Sequence, residues 1–157
     1  MSALAPAMGI GRATLHRHFP TRDALVAAMA LDALDRVSTA IDACLPIEGP
    51  VADAMLRIAA TVIPLADEVR ILDAGASVWD LRGLNDRWYS VTTVIEDLVR
   101  RGQSEGDIRP ELSPAWVADL FVGTSWTAAV AIHDGRLAAN DAPGLVVDAT
   151  LRGVGTP

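Results

Sequence analysis

Apolar residues recur at three- and four-residue spacing along most of the chain, interrupted by Gly and Pro, and no alternating run between the breaks reads as a strand. The pattern predicts an all-α protein. A short remnant from about Leu4 to Met8 leads into a turn at Gly9-Ile10-Gly11 and a helix over Arg12 to His18. Pro20-Thr21 stops that helix. Thr21 can cap the next one, with Asp23 in its first turn favoured by the positive end of the helix dipole. Ala30, Leu34, Val37, Ile41 and Leu45 then fall on one stripe, and Asp32, Asp35, Arg36 and Asp42 occupy other faces. This predicts a long amphipathic helix from about residue 21 to about 45, leaning on a core.

Pro46 and Gly49-Pro50 end it and start another helix from Val51 to about Ile63, where Pro64 forces a kink or a new start. A shorter helix is expected over Leu65 to Ala74, closed by Gly75. The next runs from Leu84 to Arg101, with Trp88, Val91, Ile95 and Leu98 facing inward, and Gly102 and Gly106 open the connection that follows. Ser113-Pro114, a capping serine before a proline at the first helical position, starts a helix to about His133. Gly135 to Asn140 forms a turn, and Ala142 to Arg152 forms the last helix.

Half of the 157 residues are hydrophobic, enough for one compact core. The formal net charge of −7 argues against a nucleic-acid partner when taken over the whole chain. Divided along the chain, it reads differently. Residues 1–22 hold Arg12, Arg17 and Arg22 and no acid, while the rest holds ten arginines against all twenty acids. A single cysteine, Cys44, excludes an internal disulfide and reads as a small buried hydrophobe. No secretory signal opens the chain, so a cytoplasmic location is expected. Ala115 to Ile132 is apolar enough to raise a membrane span, but Asp119, Gly123, Thr124, Ser125 and Thr127 within it favour a helix buried between protein surfaces, with no membrane partner.

The segment from Ala7 to Phe19 carries the chemistry. A glycine-bearing turn joins two short apolar-patterned helices, as a helix-turn-helix requires. On the second, Leu15 and Phe19 face inward, and Arg12, Ala13, His16 and Arg17 point away, offering small and cationic side chains to a DNA groove. Thr14 and His18 can donate hydrogen bonds to phosphates, and the helix N-terminus at Gly11 to Ala13 attracts phosphate by its dipole. Met8 through Phe19, followed by Pro20-Thr21-Arg22-Asp23-Ala24-Leu25, resembles the end of the DNA-binding domain of the TetR family of transcriptional regulators. Gly106-Asp107-Ile108-Arg109-Pro110 before two final helices matches a common layout there.

The resemblance implies a truncated helix-turn-helix head followed by a TetR-like helical bundle. Residues 1–45 would hold the partial DNA-binding region and connecting helix, and residues 46–157 a ligand-binding and dimerisation domain. It places Thr14, His16 and His18 on the DNA backbone and Arg12, Ala13 and Arg17 nearest the base edges; Gly11 and Arg22 complete the candidate DNA-binding set. Two residues depart from the family pattern: Gly11 stands where a Ser or Thr usually caps, and His16 where a Tyr is usual. Family members also carry a first helix and most of a second before the position of Leu4. Without them, Leu4, Met8, Ile10 and Leu15 are expected to lack apolar partners.

Trp79, Trp88 and Tyr89 lie in the middle helices, where the family forms a cavity for a small molecule, and aromatic walls suit an apolar or aromatic effector. Met55, Ile58 and Thr92 complete the candidate pocket. The last two helices are apolar around most of their circumference, and small residues Ala118, Gly123, Ala128 and Ala131 permit close approach. The resemblance implies a homodimer joined there, through Trp116, Leu120, Gly123, Thr127, Val130, Leu145 and Ala149. No nucleophile–base pair, phosphate loop, metal cluster or cofactor motif emerges, so no catalytic or metal-binding residue, no cofactor and no enzyme activity is expected; Asp73 and Asp80 read as solvated, and His133 as a helix-end cation. The reading is a ligand-responsive repressor that binds double-stranded operator DNA as a homodimer. The alternative is a dimeric small-molecule-binding protein of the same fold that has lost DNA binding.

Overall fold

The computed structural model describes residues 11–44, 48–65 and 83–154. They form six α-helices: α1 (Arg12–His18), α2 (Arg22–Asp42), α3 (Val51–Val62), α4 (Leu84–Glu105), α5 (Pro114–His133) and α6 (Ala142–Val154). A 3₁₀ turn, Ile63–Leu65, follows α3 where Pro64 was expected to break it. The expected remnant at Leu4 to Met8, the stripe residue Leu45 and nearly all of the helix at Leu65 to Ala74 lie outside the described residues, as do Asp73, Trp79 and Asp80.

Helix starts are set by local side chains. Thr21 is extended, and its Oγ1 accepts from the Ala24 amide at 3.0 Å. Ser113 does the same for the Trp116 amide, with Pro114 next to it at the first helical position. Each cap satisfies a backbone donor that a helix end otherwise leaves to water.

The core gathers α2, α3, α4, α5 and α6 around one cluster. Ala30, Leu34, Val37 and Ile41 of α2 are buried, as their stripe predicts, while Asp32, Asp35, Arg36 and Asp42 face out. At 100° per residue, Leu84, Val91, Ile95, Leu98 and Gly102 of α4 fall within about 60° of one another, and this arc is its inner side. Trp88 packs on the same cluster.

The end of α4 differs from the sequence expectation. The helix runs to Glu105, one turn past Arg101, and Gly102 is an interior, buried residue. Gly106 is the glycine that terminates it, at φ +87°, a conformation open to a residue without a Cβ. The amides of Asp107 and Ile108 then donate to the Gly102 carbonyl at 2.9 and 3.1 Å, turning the chain back so that Ile108 sinks into the core. A Cβ on Gly102 would meet Ile108 Cδ1 at 3.0 Å and Val51 Cγ2 at 3.1 Å. Gly102 is therefore a point of close approach between α4, α3 and the following turn. Gln103 pins that turn, its Nε2 donating to the carbonyls of Arg109 and Leu112 at 3.0 and 2.8 Å.

Helix α5 lies between α4 and α6. Among the described residues it is the one helix long and apolar enough to cross a membrane by length and composition, with a third of that stretch buried inside the chain. Ala118 and Ala128, expected to face a partner helix, are buried within the chain, because a helix apolar all round gives no phase to say which side turns inward. Thr150 of α6 is fully buried; its Oγ1 donates to the Val146 carbonyl at 2.8 Å and lies 3.3 Å from Thr124 Oγ1 of α5, fixing the register of the pair.

Gly102→Val is expected to destabilise the fold by about 2 kcal/mol through overpacking against Ile108 and Val51. Urea unfolding at fixed protein concentration measures it.

Candidate nucleic-acid interface and effector body

Helix α1 has two turns. Gly11 caps it with extended backbone (φ −70°, ψ 144°) and no side-chain hydrogen bond, having no side chain to make one. Its carbonyl accepts from the Leu15 amide at 3.0 Å, and the Leu15 carbonyl accepts from the Phe19 amide at 2.8 Å, closing the helix. Ala13, Thr14, His16, Arg17 and His18 are exposed, and Phe19 is half-buried. Leu15 is only 2 % exposed, so the expectation that it lacks partners is corrected: the chain itself covers it. Leu4, Met8 and Ile10 lie outside the described residues. The last turn holds His16, Arg17 and His18, and the first turn holds no acid. The Arg17 guanidinium suits the negative end of the helix dipole, so its placement is locally favourable as well as outward-facing. Arg12 opens the helix, and Arg22, exposed, opens α2 just beyond the Thr21 cap.

The head connects to the bundle through α2, which packs on α3 and α4. A charged tie accompanies the apolar stripe: Asp35 of α2 accepts from the Arg87 guanidinium of α4. The periodicity of α2 puts Asp35 on a face away from the apolar stripe and gives Arg87 no role. The two are 52 positions apart, and no local pattern pairs them. At its other end α2 meets α3 through Cys44, whose Sγ lies 3.3 Å from the Ala40 carbonyl and 3.4 Å from Thr61 Oγ1. Cys44 is half-buried, short of the full burial expected of it, because its position at the helix end faces a hydroxyl. The loop before α3 is held by two guanidinium groups: Arg57 donates to the Glu48 carbonyl at 3.1 Å and Arg101 to the Gly49 carbonyl at 2.9 Å.

In the body, Met55 and Ile58 are fully buried in the cluster that also holds Val91 and Ile95, with Trp88 packed against it. Thr92 is buried, its hydroxyl donating to the carbonyls of Trp88 and Tyr89, both at 3.2 Å. Tyr89 does not join them. It is 66 % exposed, because it stands about 140° round α4 from Leu84, off the buried arc. Trp79 lies outside the described residues. Among the described residues no group of three or more His, Cys, Asp or Glu side chains could hold a metal ion.

Of the seven residues of the candidate dimer face, five stand outward on α5 and α6. Trp116 is 61 % and Leu145 52 % exposed; Gly123, Thr127 and Ala149 are exposed, and Leu120 and Val130 half-buried. Trp116, Leu120, Gly123, Thr127 and Val130 fall within about 80° on α5, so they make a single stripe.

No protein-family model matches the chain. Two curated relatives do. The HTH-type transcriptional repressor LfrR of Mycolicibacterium smegmatis is 29 % identical over 132 residues, which is 84 % of this chain and 68 % of that protein. The HTH-type transcriptional regulator NfxB of Pseudomonas aeruginosa is 25 % identical over 159 residues, spanning 100 % of this chain and 85 % of NfxB. The crystal structure of the TetR-like regulator LfrR in complex with proflavine superposes with a TM-score of 0.80 at 24 % identity, covering 99 % of this chain and 85 % of LfrR. The chain shares the fold of TetR-like regulators and is similar in sequence to two HTH-type regulators. The ketosteroid transcriptional regulator KstR2 of Mycobacterium tuberculosis shares the fold at 18 % identity, with a TM-score of 0.76 over 98 % of this chain and 83 % of KstR2. The TetR-type architecture joins the short helix α1 to the bundle through α2, so the ties along α2 are the covalent and packing route between head and body.

Two outcomes follow from these ties. Thr21→Ala removes the cap and is expected to cost about 1 kcal/mol, read as faster hydrogen exchange of the Ala24 amide. For the Asp35–Arg87 pair, a double-mutant cycle with Asp35→Asn and Arg87→Gln is expected to give a coupling below about 1 kcal/mol that shrinks in high salt, since both side chains are about half exposed.

Proposed function

We propose that this chain is a ligand-responsive transcriptional repressor in the cytoplasm that binds operator DNA as a homodimer and releases it when a small apolar or aromatic molecule binds. The observation that carries the DNA-binding part is α1: a short helix with one buried leucine whose exposed residues, Ala13, Thr14, His16, Arg17 and His18, include no acid, in an otherwise acidic protein. An α-helix of this kind fits the major groove. Arg17 reads base edges together with Arg12 and Ala13, while Thr14, His16, His18 and Arg22 hold phosphates, with Gly11 placing the helix N-terminus against the backbone. The acidic body repels DNA elsewhere, so the complex is oriented by charge.

The repressor assignment is supported by likeness to LfrR, whose name says repressor, and the aromatic effector by the proflavine held in the LfrR crystal. In this chain Trp88 and Thr92, with Met55 and Ile58 beneath them, are the described side chains proposed to meet the effector. Trp79 completes that set, and Tyr89, turned to solvent, is left out of it. Effector binding favours the body conformation whose heads no longer match the operator, so release is a population shift driven by differential affinity. The outward stripe on α5 and α6 supports the dimer. Two large apolar side chains left in water, Trp116 and Leu145, are costly exposed and become favourable when a second copy covers them.

Three measurements test this reading. Fluorescence anisotropy with the DNA flanking the gene should show saturable, salt-sensitive binding that Arg17→Ala weakens by about tenfold; equal affinity for unrelated DNA, or no binding, refutes DNA recognition by this chain. Proflavine should quench tryptophan emission and lower that DNA affinity, and Trp88→Ala should reduce the quenching. Sedimentation should give a dimer at micromolar concentration that Trp116→Glu combined with Leu145→Glu converts to monomer, and a parent monomer refutes the interface.

A further inference from the structure

We propose that a groove at the end of the bundle, between the start of α3, the turn after α4 and the last turns of α6, binds amphipathic organic cations. It is independent of the DNA-binding reading and of the effector residues proposed above. The groove measures about 900 Å³, within the range of sites that hold drug-sized molecules. Ala52 and Leu56 of α3 and Val147 and Leu151 of α6 give it apolar walls. Leu56 is 40 % exposed, so part of that apolar surface stands in water.

The charges on the rim decide the class of ligand. Two arginines and three aspartates line the groove. Arg152 Nε donates to Asp148 Oδ1 at 2.7 Å, so that pair is neutral. Arg109 Nη2 donates to the Gly153 carbonyl at 2.6 Å, and its Nε lies 3.9 Å from Glu111 Oε1, so its guanidinium is held at the rim with an acid beside it. Asp53 and Asp107 are left. Both are exposed, and among the described residues neither carboxylate takes part in a side-chain hydrogen bond or ion pair. Asp53 sits in the first turn of α3, three residues before the exposed Leu56 on the same helix face. Apolar walls with two unengaged carboxylates complement a molecule with an apolar body and a cationic head. A neutral molecule of the same body would lose the charge term, and an anionic one would meet repulsion.

Calorimetry on the intact chain with octyltrimethylammonium, octyl glucoside and octanoate, each below its micelle concentration, tests the proposal. The expected result is saturable binding of the ammonium compound at one site per chain, about fivefold tighter than the glucoside, with octanoate weakest. Asp53→Asn combined with Asp107→Asn should bring the ammonium compound down to the affinity of the glucoside, and Leu56→Arg, at an exposed position, should abolish binding of both while leaving the helical circular dichroism unchanged. Equal affinity for the three compounds, no saturable binding, or variants that bind the ammonium compound as tightly as the parent overturns it. DNA affinity is unaffected in either case, so this result and the operator measurement fail separately.

Discussion

The buried stripe of α2, Ala30, Leu34, Val37 and Ile41, is the seam on which the whole arrangement depends. Helix α1 touches the other described helices only sparsely, so the position of the outward side chains Arg17 and His16 is inherited from α2. Ala30 in the stripe and the buried Ala33 beside it put little side-chain volume between α2 and its neighbours. The larger Leu34 and Ile41 fill the space between α3 and α4, where a buried aliphatic side chain contributes about 2 kcal/mol. The Asp35–Arg87 pair adds little energy at its exposure, but it sits across the same seam and restrains how α2 rotates on α4.

A second constraint lies at Gly102. The αL conformation of Gly106 and the hydrogen bonds to the Gly102 carbonyl fold the chain back, and the missing Cβ of Gly102 lets Ile108 and Val51 meet the helix face directly. That close approach joins α3, α4 and the turn into one unit. Arg101 and Gln103, on either side of Gly102, then reach the carbonyls of Gly49, Arg109 and Leu112, so the loops flanking the joint are tied to the same helix. The groove lined by Asp53 and Asp107 lies at this joint, and its walls are therefore built on helix ends and a pinned turn.

Charge distribution gives the molecule its polarity. Arg12, Arg17 and Arg22 stand at the head with no acid among residues 1–22, and acids dominate the remainder. In the bundle, several acids are partly offset locally: Arg100 is shared between Glu96 and Asp97, and Arg152 pairs with Asp148, through short side-chain contacts on single helices. Such pairs contribute little to stability, but they smooth the field of the body and leave the unpaired groups, Asp53 and Asp107 among them, as its distinctive features.

The sequence alone determined what is local. Helix starts at Thr21 and Ser113 were readable because a capping oxygen acts within three residues, and the faces of α2 and α4 were readable because one polar and one apolar side gave the periodicity a phase. The outward set on α1 followed from the four-residue spacing of Leu15 and Phe19. Only the tertiary structure decided between Gly102 and Gly106 as the end of α4. Either glycine could terminate a helix, and the choice depends on Ile108 and Val51 needing the face that Gly102 leaves bare. It also turned Ala118 and Ala128 inward and Gly123 outward on α5, where apolar residues on every side give no preferred face until α4 and α6 are in place. The Asp35–Arg87 tie and the exposure of Tyr89 belong to the same class, because both depend on how two helices distant in sequence are rotated against each other, which no window along the chain contains.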